Sequence, residues 1–260
     1  MHIARVALRV SDLDRSIDWY GRVVGLALRE RDGARAELGP PDGGPALLEL
    51  RAAERPGVAP RAAAGLFHTA FRYPARAQLG AALRRITEGR ESFTGASDHA
   101  VSEALYLDDP DRLGVEIYRD RPRDEWPPPP PGDRVFMTTE PLDAEGVLAA
   151  AAGGLPDSAA GVDVGHVHLK VADVERATAF WTDEAGMELM ARFGPDAAFL
   201  ADEGYHHHVG ANSWYSRGAP LEPADGPGLD RVVVAGAPPR TLHTPDGVEV
   251  VFVESEQPAG

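Results

Sequence analysis

An internal repeat without gaps constrains the fold of this 260-residue chain more than any other feature. Each copy begins with alternating apolar residues, the pattern of a half-buried strand, and continues with an Asp that can cap a following helix. The helix then ends near Gly25 or Gly186, a residue type suited to a left-handed C-cap. The repeat therefore predicts a strand followed by a helix at the start of each copy. The matched pairs are Leu8 and Leu169, Val10 and Val171, Asp12 and Asp173, Arg15 and Arg176, Trp19 and Phe180, and Gly25 and Gly186.

The end of the repeating unit has its own pattern, a Pro-Asp turn that leads into a strand carrying a Glu. This pattern occurs at 108–120 and again at 244–254, and we take LLEL at 47–50, with Glu49, as the corresponding strand of the first unit. The last unit is short, and we expect it to keep only its first and last strands. Counted this way, the chain holds four units, at residues 1–55, 64–122, 163–216 and 227–255.

A run of five prolines in WPPPPPGDR, residues 126–134, divides the chain between the second and third units. Successive prolines fix φ and supply no backbone donors, so this segment is expected to be extended. We therefore expect a first half at 1–125 with units one and two, and a second half at 161–260 with unit three and the truncated unit four. The connection at 126–160 is the proline-rich linker and a short helix at 141–152.

Composition excludes several classes of function. The chain has no cysteine, which rules out disulfides and thiolate ligands, so any metal must be held by His, Asp or Glu. A formal net charge of −15 argues against a nucleic-acid partner, because phosphate binding depends on Lys and Arg. No apolar run approaches the length of a membrane span, and the N-terminus lacks a signal-peptide pattern. We therefore expect a cytoplasmic protein without a membrane partner.

Three residues in strand-like segments are candidate metal ligands: His68 in LFHTAF, Glu116 in GVEIYRD and His166 in GHVHLKV. Two imidazoles and one carboxylate form the ligand set of a non-haem Fe(II) site with open coordination positions. Val115 and Ile117 flank Glu116, so its side chain points away from theirs, and a buried Glu needs a cation. His168, two residues beyond His166, could share its face of the strand.

The pairing of the units decides which residues can meet. If units one and two pair, the shared set is Arg5, Glu49, His68 and Glu116. If units three and four pair, it is His166, one of the residues 206–208, a residue near Arg231, and Glu249. Pairing units two and three brings His68, Glu116 and His166 together, and we prefer this hypothesis. Units one and four would then face each other, and salt bridges could occupy their centre, formed by Arg5, Glu49, Arg231 and Glu249.

Two longer stretches carry a family resemblance, GASDHAVSEALYLDDPD followed by GVEIYRDRP, and GYHHHVGANSW. Together with the repeated unit they resemble the vicinal oxygen chelate superfamily, which includes glyoxalase I, bleomycin-resistance proteins and type I extradiol dioxygenases. The catechol-2,3-dioxygenase branch is the most similar. The resemblance implies an α+β fold in which about three and a half βαβββ modules form two paired, open-barrel sheets.

The resemblance implies an Fe(II)-dependent oxidoreductase that cleaves a catechol-type ring with O2 during aromatic compound catabolism. Fe(II) is the expected cofactor, with Mn(II) or another divalent metal as the alternative. We expect residues 206–208 in the last strand of unit three, where alternation would place His207 on one face and His206 and His208 on the other. By the resemblance, His207 matches the acid-base histidine of the family, and Tyr106 matches a tyrosine that hydrogen-bonds near the bound substrate. His99 is the candidate for contacting a substrate hydroxyl. The expected partners are a small aromatic molecule and O2, and a homodimer is an open possibility.

Two alternatives on the same fold remain open. A glyoxalase-type or thiol-transferase enzyme would use the metal as a Lewis acid without redox chemistry, often with two His and two Glu ligands. A relative of the bleomycin-resistance proteins would bind a small molecule in the cavity without any metal. The absence of an evident second Glu in unit three argues against the first alternative, and the His, His and Glu set argues against the second.

Overall fold

The computed structural model describes residues 1–153 and 159–254 of the chain. In the first unit the predicted helix is capped by Asp12, whose side chain accepts a hydrogen bond from the Arg15 amide at 3.0 Å. The helix passes into a π-helical turn and ends at Gly25, whose φ of 80° is left-handed. The elements of this unit are β1 (His2–Val10), α1 (Leu13–Trp19), the π-helical turn Tyr20–Val24, β2 (Ala27–Asp32), β3 (Arg35–Gly39) and β4 (Leu48–Ala52).

The second unit has the same order of elements with a longer helix. Beyond it lie a 3-10 turn at Arg123–Glu125 and the prolines, which form no helix or strand. The short helix expected at 141–152 is confirmed, and Asp143 caps it by accepting from the Gly146 amide. The elements are β5 (Gly65–Arg72), α2 (Arg76–Glu88), β6 (Phe93–Asp98), β7 (Ser102–Asp108), β8 (Gly114–Asp120), β9 (Glu140–Pro141) and α3 (Ala144–Ala150).

The third unit repeats the first in detail. Asp173 caps its helix through the Arg176 amide at 3.0 Å, and a π-helical turn follows at the aromatic pair Phe180 and Trp181. Gly186 is left-handed, with φ of 85°, and lies one residue beyond the helix cap. The elements are β10 (Asp163–Lys170), α4 (Val174–Ala179), the π-helical turn Phe180–Glu184, β11 (Glu188–Arg192), β12 (Ala197–Ala201) and β13 (Val209–Asn212).

The fourth unit is larger than expected. It contains β14 (Gly228–Ala235), β15 (Arg240–His243) and β16 (Glu249–Val253), so the prediction that only its first and last strands remain was wrong. The middle strand, β15, pairs antiparallel with β16. Its four residues lie between Pro239 and Pro245, and so short a segment has too few residues for alternation to reveal a strand.

The two sheets establish how the units pair. Units one and four form a seven-stranded sheet in the order β15-β16-β14-β1-β4-β3-β2. Units two and three, with β9, form a nine-stranded sheet in the order β11-β12-β13-β10-β5-β8-β7-β6-β9. The first strands of paired units lie antiparallel, and within each unit the first and last strands lie parallel. The preferred pairing of units two and three is therefore observed within one chain.

One hydrophobic cluster takes side chains from all four units, including the fully buried Tyr20, Phe71, Trp181 and Phe252. Burying each such side chain contributes about 1.5–3 kcal/mol, so the shared core holds both sheets together. The fold is α+β and built from three and a half βαβββ modules as expected. Among the helices described, none has the length and apolar character needed to cross a bilayer.

Candidate metal centre

The three candidate ligands lie on three adjacent strands of the nine-stranded sheet. His166 on β10 is opposite Ala70 on β5, and Ala70 is opposite Glu116 on β8. His68 lies two residues before Ala70, so both side chains point to the same face of β5. The small methyl group of Ala70 leaves space between His166 and Glu116. The pairing of units two and three thus brings the three polar side chains to one point.

Distances at this point match those around a metal ion. The ligand atoms of the three residues all lie within 4.8 Å of one another. His166 Nε2 and His68 Nε2 are each 2.9 Å from Glu116 Oε2. Ligands bound about 2.1 Å from an ion and at right angles to each other would be about 3.0 Å apart. The group could therefore hold a divalent metal through neighbouring coordination positions.

Hydrogen bonding within the group is incomplete. The contact between His68 Nε2 and Glu116 lacks the alignment of a hydrogen bond, and this nitrogen has no other partner in the described residues. Buried polar atoms without partners are uncommon in folded proteins and call for an explanation such as an ion. All three side chains are buried. The donor set and its unpaired nitrogen fit a bound divalent cation.

The ionisation of the group also suits a cation. Burial lowers the pKa of His166 to about 4, so this imidazole is neutral near pH 7 and keeps a lone pair. Burial alone would raise the pKa of the Glu116 carboxyl, but His166 and His68 bring it well below its usual range. A neutral imidazole beside a buried carboxylate leaves a negative charge that a divalent ion would balance.

Residues 206–208 are not in a strand, contrary to the expectation that they belong to the last strand of unit three. They form the turn before β13, which begins at Val209. Strand alternation therefore does not separate His206 from His207, and their Nδ1 atoms are 2.8 Å apart. His207 packs against His166 with ring centroids 4.0 Å apart and lines the same cavity as His68 and Glu116.

Asp120, at the end of β8, orients this histidine pair through His206, and no local sequence pattern indicates it. Burial opposes its charge, but the hydrogen bond from His206 and the charge of Arg72 bring the pKa of the Asp120 carboxyl below its usual range. His206 Nε2 donates to this carboxylate at 2.9 Å. One of the two Nδ1 atoms must donate across their 2.8 Å contact, and a proton on His207 Nδ1 would leave a lone pair on His207 Nε2. Burial lowers the pKa of His207 well below its ordinary value, so this imidazole is neutral near pH 7.

Tyr106 and His99 form a second polar pair on the cavity wall. His99 Nδ1 is 2.6 Å from the Thr138 carbonyl oxygen, which can only accept, so Nδ1 carries the proton. His99 Nε2 then accepts a hydrogen bond from the Tyr106 hydroxyl at 2.7 Å. Burial and the nearby Glu116 raise the pKa of Tyr106 well above its usual value, so it remains a phenol. Tyr106 lies opposite Glu116 in the pairing of β7 with β8.

A single cavity of about 980 Å³ is lined by His68, His99, Tyr106, Glu116, His206 and His207. Its walls also carry His168, Lys170 and an aromatic group formed by Phe67, Phe199 and Trp214. His168 packs against Gly210, where a Cβ atom would lie 2.7 Å from its ring. Of these further residues only His168 was indicated by the sequence, through its alternation with His166. The aromatic wall lies on several segments, so no local pattern predicts it.

The centre between units one and four holds an ion-pair network that differs from the expected one. Glu49 pairs with Arg231 at 2.8 Å, as expected, and with Arg35 at 3.0 Å. Arg5 pairs instead with Glu37 at 3.1 Å. The reason is that β3 lies beside β4 and supplies Arg35 and Glu37 to this face. Glu249 lies opposite Arg231 on β16.

Comparison with known proteins gives related matches in sequence and in fold. Residues 2–117 match the family model of the Glyoxalase/Bleomycin resistance protein/Dioxygenase superfamily. A catechol-2,3-dioxygenase of Bacillus subtilis (strain 168) is 41% identical over 239 residues, covering 90% of this chain and 82% of that protein. The structure of a candidate dioxygenase from the same organism has a TM-score of 0.65 at 14% identity, with 98% and 85% of the two chains covered. Glyoxalase I from Zea mays has a TM-score of 0.58 at 20% identity, with 97% and 92% covered.

Proposed function

Because this chain is a dioxygenase-like member of the Glyoxalase/Bleomycin resistance protein/Dioxygenase superfamily, we propose that it is an Fe(II)-dependent extradiol dioxygenase. Its substrate would be a catechol-type molecule, cleaved with O2. The observation that supports this most strongly is the convergence of two imidazoles and one carboxylate in one buried group. The name of the Bacillus subtilis relative supports the same reaction.

His68, Glu116 and His166 would hold the metal, and their burial keeps competing water away from the site. When bound there, Fe(II) would supply open positions for both catechol oxygens and for O2 and would lower the pKa of a bound hydroxyl. Both reactants would be held side by side, which removes much of the entropy cost of their meeting. All atoms of the catechol and of O2 are retained in a ring-opened semialdehyde, so the reaction needs no external reductant.

His207 is the proposed acid-base group. In the proposed tautomer, Asp120 and His206 would keep the proton of His207 on Nδ1, so that Nε2 has a free lone pair. His207 would accept a proton from a substrate hydroxyl and return it as the ring opens. Asp120 would stabilise the positive charge that develops on the histidine pair.

Tyr106 would orient the substrate beside the metal centre. While its hydroxyl donates to His99, its oxygen can accept a hydrogen bond from a substrate hydroxyl. If the O–H bond of Tyr106 rotates towards the substrate, Tyr106 becomes the hydrogen-bond donor that the family resemblance implies. Both ring nitrogens of His99 have partners, so we propose that His99 orients Tyr106. A direct contact between His99 and the substrate stays a prediction.

The glyoxalase-type alternative has less support. Such a site often uses a second carboxylate, and within 1–153 and 159–254 no second carboxylate joins the group of His68, Glu116 and His166. The likeness to glyoxalase I in fold reflects the shared architecture. The binding-protein alternative does not account for the unpaired nitrogen of His68.

Reconstitution with Fe(II) under nitrogen, followed by oxygen uptake on a panel of catechols, tests the proposal. We expect one O2 consumed for each catechol and a yellow product. His68→Ala, His166→Ala and Glu116→Ala should each lose bound iron, whereas His243→Ala, on the distant strand β15, should keep it. Full iron content in all three ligand variants would contradict the proposed centre. Bound iron without oxygen uptake on any catechol would contradict the proposed reaction.

A further inference from the structure

The cavity continues beyond the metal centre along strand β10. Residues of a strand alternate between its two faces, so His166, His168 and Lys170 lie on one face in a row. His168 and Lys170 both line the cavity. At the rise of a strand, Lys170 begins about 13 Å from His166 along the strand axis. The cavity therefore has a basic residue well beyond the position of a bound catechol ring.

Lys170 is unusual in this chain. It is the only lysine, since every other residue among the 26 Lys and Arg is an arginine. It is also buried, with 6% of its surface exposed. Most arginines of the chain lie at least partly on the surface, whereas this single ammonium group is enclosed in the wall of the cavity. A lysine kept in such a place presents a flexible point charge to whatever enters the cavity.

The ammonium group of Lys170 is incompletely paired. Its Nζ donates to the Pro60 carbonyl oxygen at 2.9 Å, which uses one of three protons. In the part of the chain that the structure describes, it forms no salt bridge. Asp108 and Glu222 act on it only from a distance, and burial raises the pKa of Glu222, which weakens that carboxyl as a counter-ion. A buried charge without a close partner costs free energy that an anionic ligand would recover.

The space between the metal centre and Lys170 suits an aromatic ring with a short arm. Phe67, His168 and Trp214 pack against one another, with ring centroids 5.1–5.9 Å apart, and form one aromatic wall of this space. Arg61 lines the same cavity near Lys170 and stacks on the ring of Tyr215, 4.3 Å from its centroid. In a chain of net charge −15, this end of the cavity is locally basic. Its charge would attract an anion to a protein that otherwise repels one.

We propose that the substrate is a catechol whose side chain ends in a carboxylate, and that Lys170 pairs with this carboxylate while the two hydroxyls face His68 and Glu116. This inference rests on the proposed ring cleavage and adds the substrate class. The distance along β10 fits an arm of roughly two to four carbon atoms. Arg61 would favour entry of the anion at the mouth of the cavity.

The first test compares 3-(3,4-dihydroxyphenyl)propionate with its methyl ester, which lacks the negative charge and carries one additional methyl group. We expect kcat/KM to be about 10- to 100-fold higher for the acid, the range of one charge-assisted hydrogen bond. Lys170→Met should reduce this preference to about one. Arg84→Met, on the exposed side of α2, is the control and should keep the full preference. Equal rates for acid and ester in the parent protein, or equal losses for both in Lys170→Met, would overturn the inference.

The second test needs neither a variant nor turnover. Lysine labelled with 13C gives a single Cε signal in this chain, because Lys170 is the only lysine. Added to the Fe(II)-loaded protein under nitrogen, the acid should shift this signal and the ester should not. A shift of the same size with both compounds, or with neither, would overturn the inference. An acid-specific shift without oxygen uptake would support the anion site and contradict the ring-cleaving function.

Discussion

Glu116→Gln tests the metal centre most sharply, because it removes one charge and keeps the shape of the side chain. Glu116 is 2% exposed, and its Oε2 lies 2.9 Å from Nε2 of both His68 and His166. With His166 neutral near pH 7, the metal-free protein carries a poorly balanced buried carboxylate. The metal-free variant should therefore lose less stability than a variant in which a buried carboxylate is taken from arginine partners, while its affinity for the ion is lost.

The magnitude follows from binding linkage. A divalent ion at a hundred times its Kd stabilises the folded protein by about 2.7 kcal/mol. For a chain of this length that corresponds to a rise in Tm of about 5–11 °C. The assay is thermal unfolding of metal-free protein with and without Mn(II), which is stable in air. The parent protein should show the full rise, and Glu116→Gln a rise of less than about 2 °C.

Glu103→Gln is the matched control. Glu103 is equally buried in the same sheet, but Arg76 and Arg119 pair with it at 2.9 and 2.6 Å. Breaking this buried ion pair should destabilise the metal-free protein by about 3 kcal/mol and leave the metal-induced rise intact. The reasoning would be refuted if Glu116→Gln kept the rise, or if its metal-free form lost as much stability as Glu103→Gln.

Three further predictions concern proton transfer and pH. His207→Ala should keep iron and lose turnover, whereas His208→Ala, one residue further along the chain, should retain most of the turnover. Iron content and oxygen uptake measure both effects, and loss of iron in His207→Ala would contradict the acid-base role of His207. Asp120→Ala should lower kcat more than tenfold with little change in KM, because it frees the tautomer of His207; steady-state kinetics measure it, and a pure KM effect would count against it. Burial raises the pKa of Asp109 to about 7, so the folded state binds a proton at this carboxyl more tightly than the unfolded state does. The free energy of unfolding should therefore fall as pH rises from about 4 to about 7, by at most about 1.4 kcal/mol per pH unit. Urea unfolding across that range should show a smaller slope for Asp109→Asn, and an unchanged slope would refute it.

The sequence predicted the parts of the fold that depend on local pattern. The Asp caps, the helix ends at Gly25 and Gly186, and the strands around His68, Glu116 and His166 all follow from alternation and capping. The choice among pairings also succeeded, because only one of them gave the expected ligand set. The division of the chain into halves at 126–160 and a homodimer both stay predictions.

What the sequence missed depends on tertiary contacts. Three consecutive histidines read as strand because their pattern carries no turn residue, yet Gly204 before them ends the preceding turn with φ of 68°. The partner of Arg5 depends on β3 lying beside β4, which no segment of the chain specifies alone. Lys170 is visible as the only lysine, but its burial follows from the packing of β10 against β5.

Each sheet combines one unit from before the proline run with one from after it. During synthesis the first half would therefore leave the edges of β1 and β5 without their neighbours β14 and β10. Open strand edges favour aggregation, so the emerging chain depends on prompt docking of its second half. Because His166 is part of β10, the proposed oxygen-activating centre would form only after the second half of the chain has been synthesised, which would protect the nascent protein from oxidation.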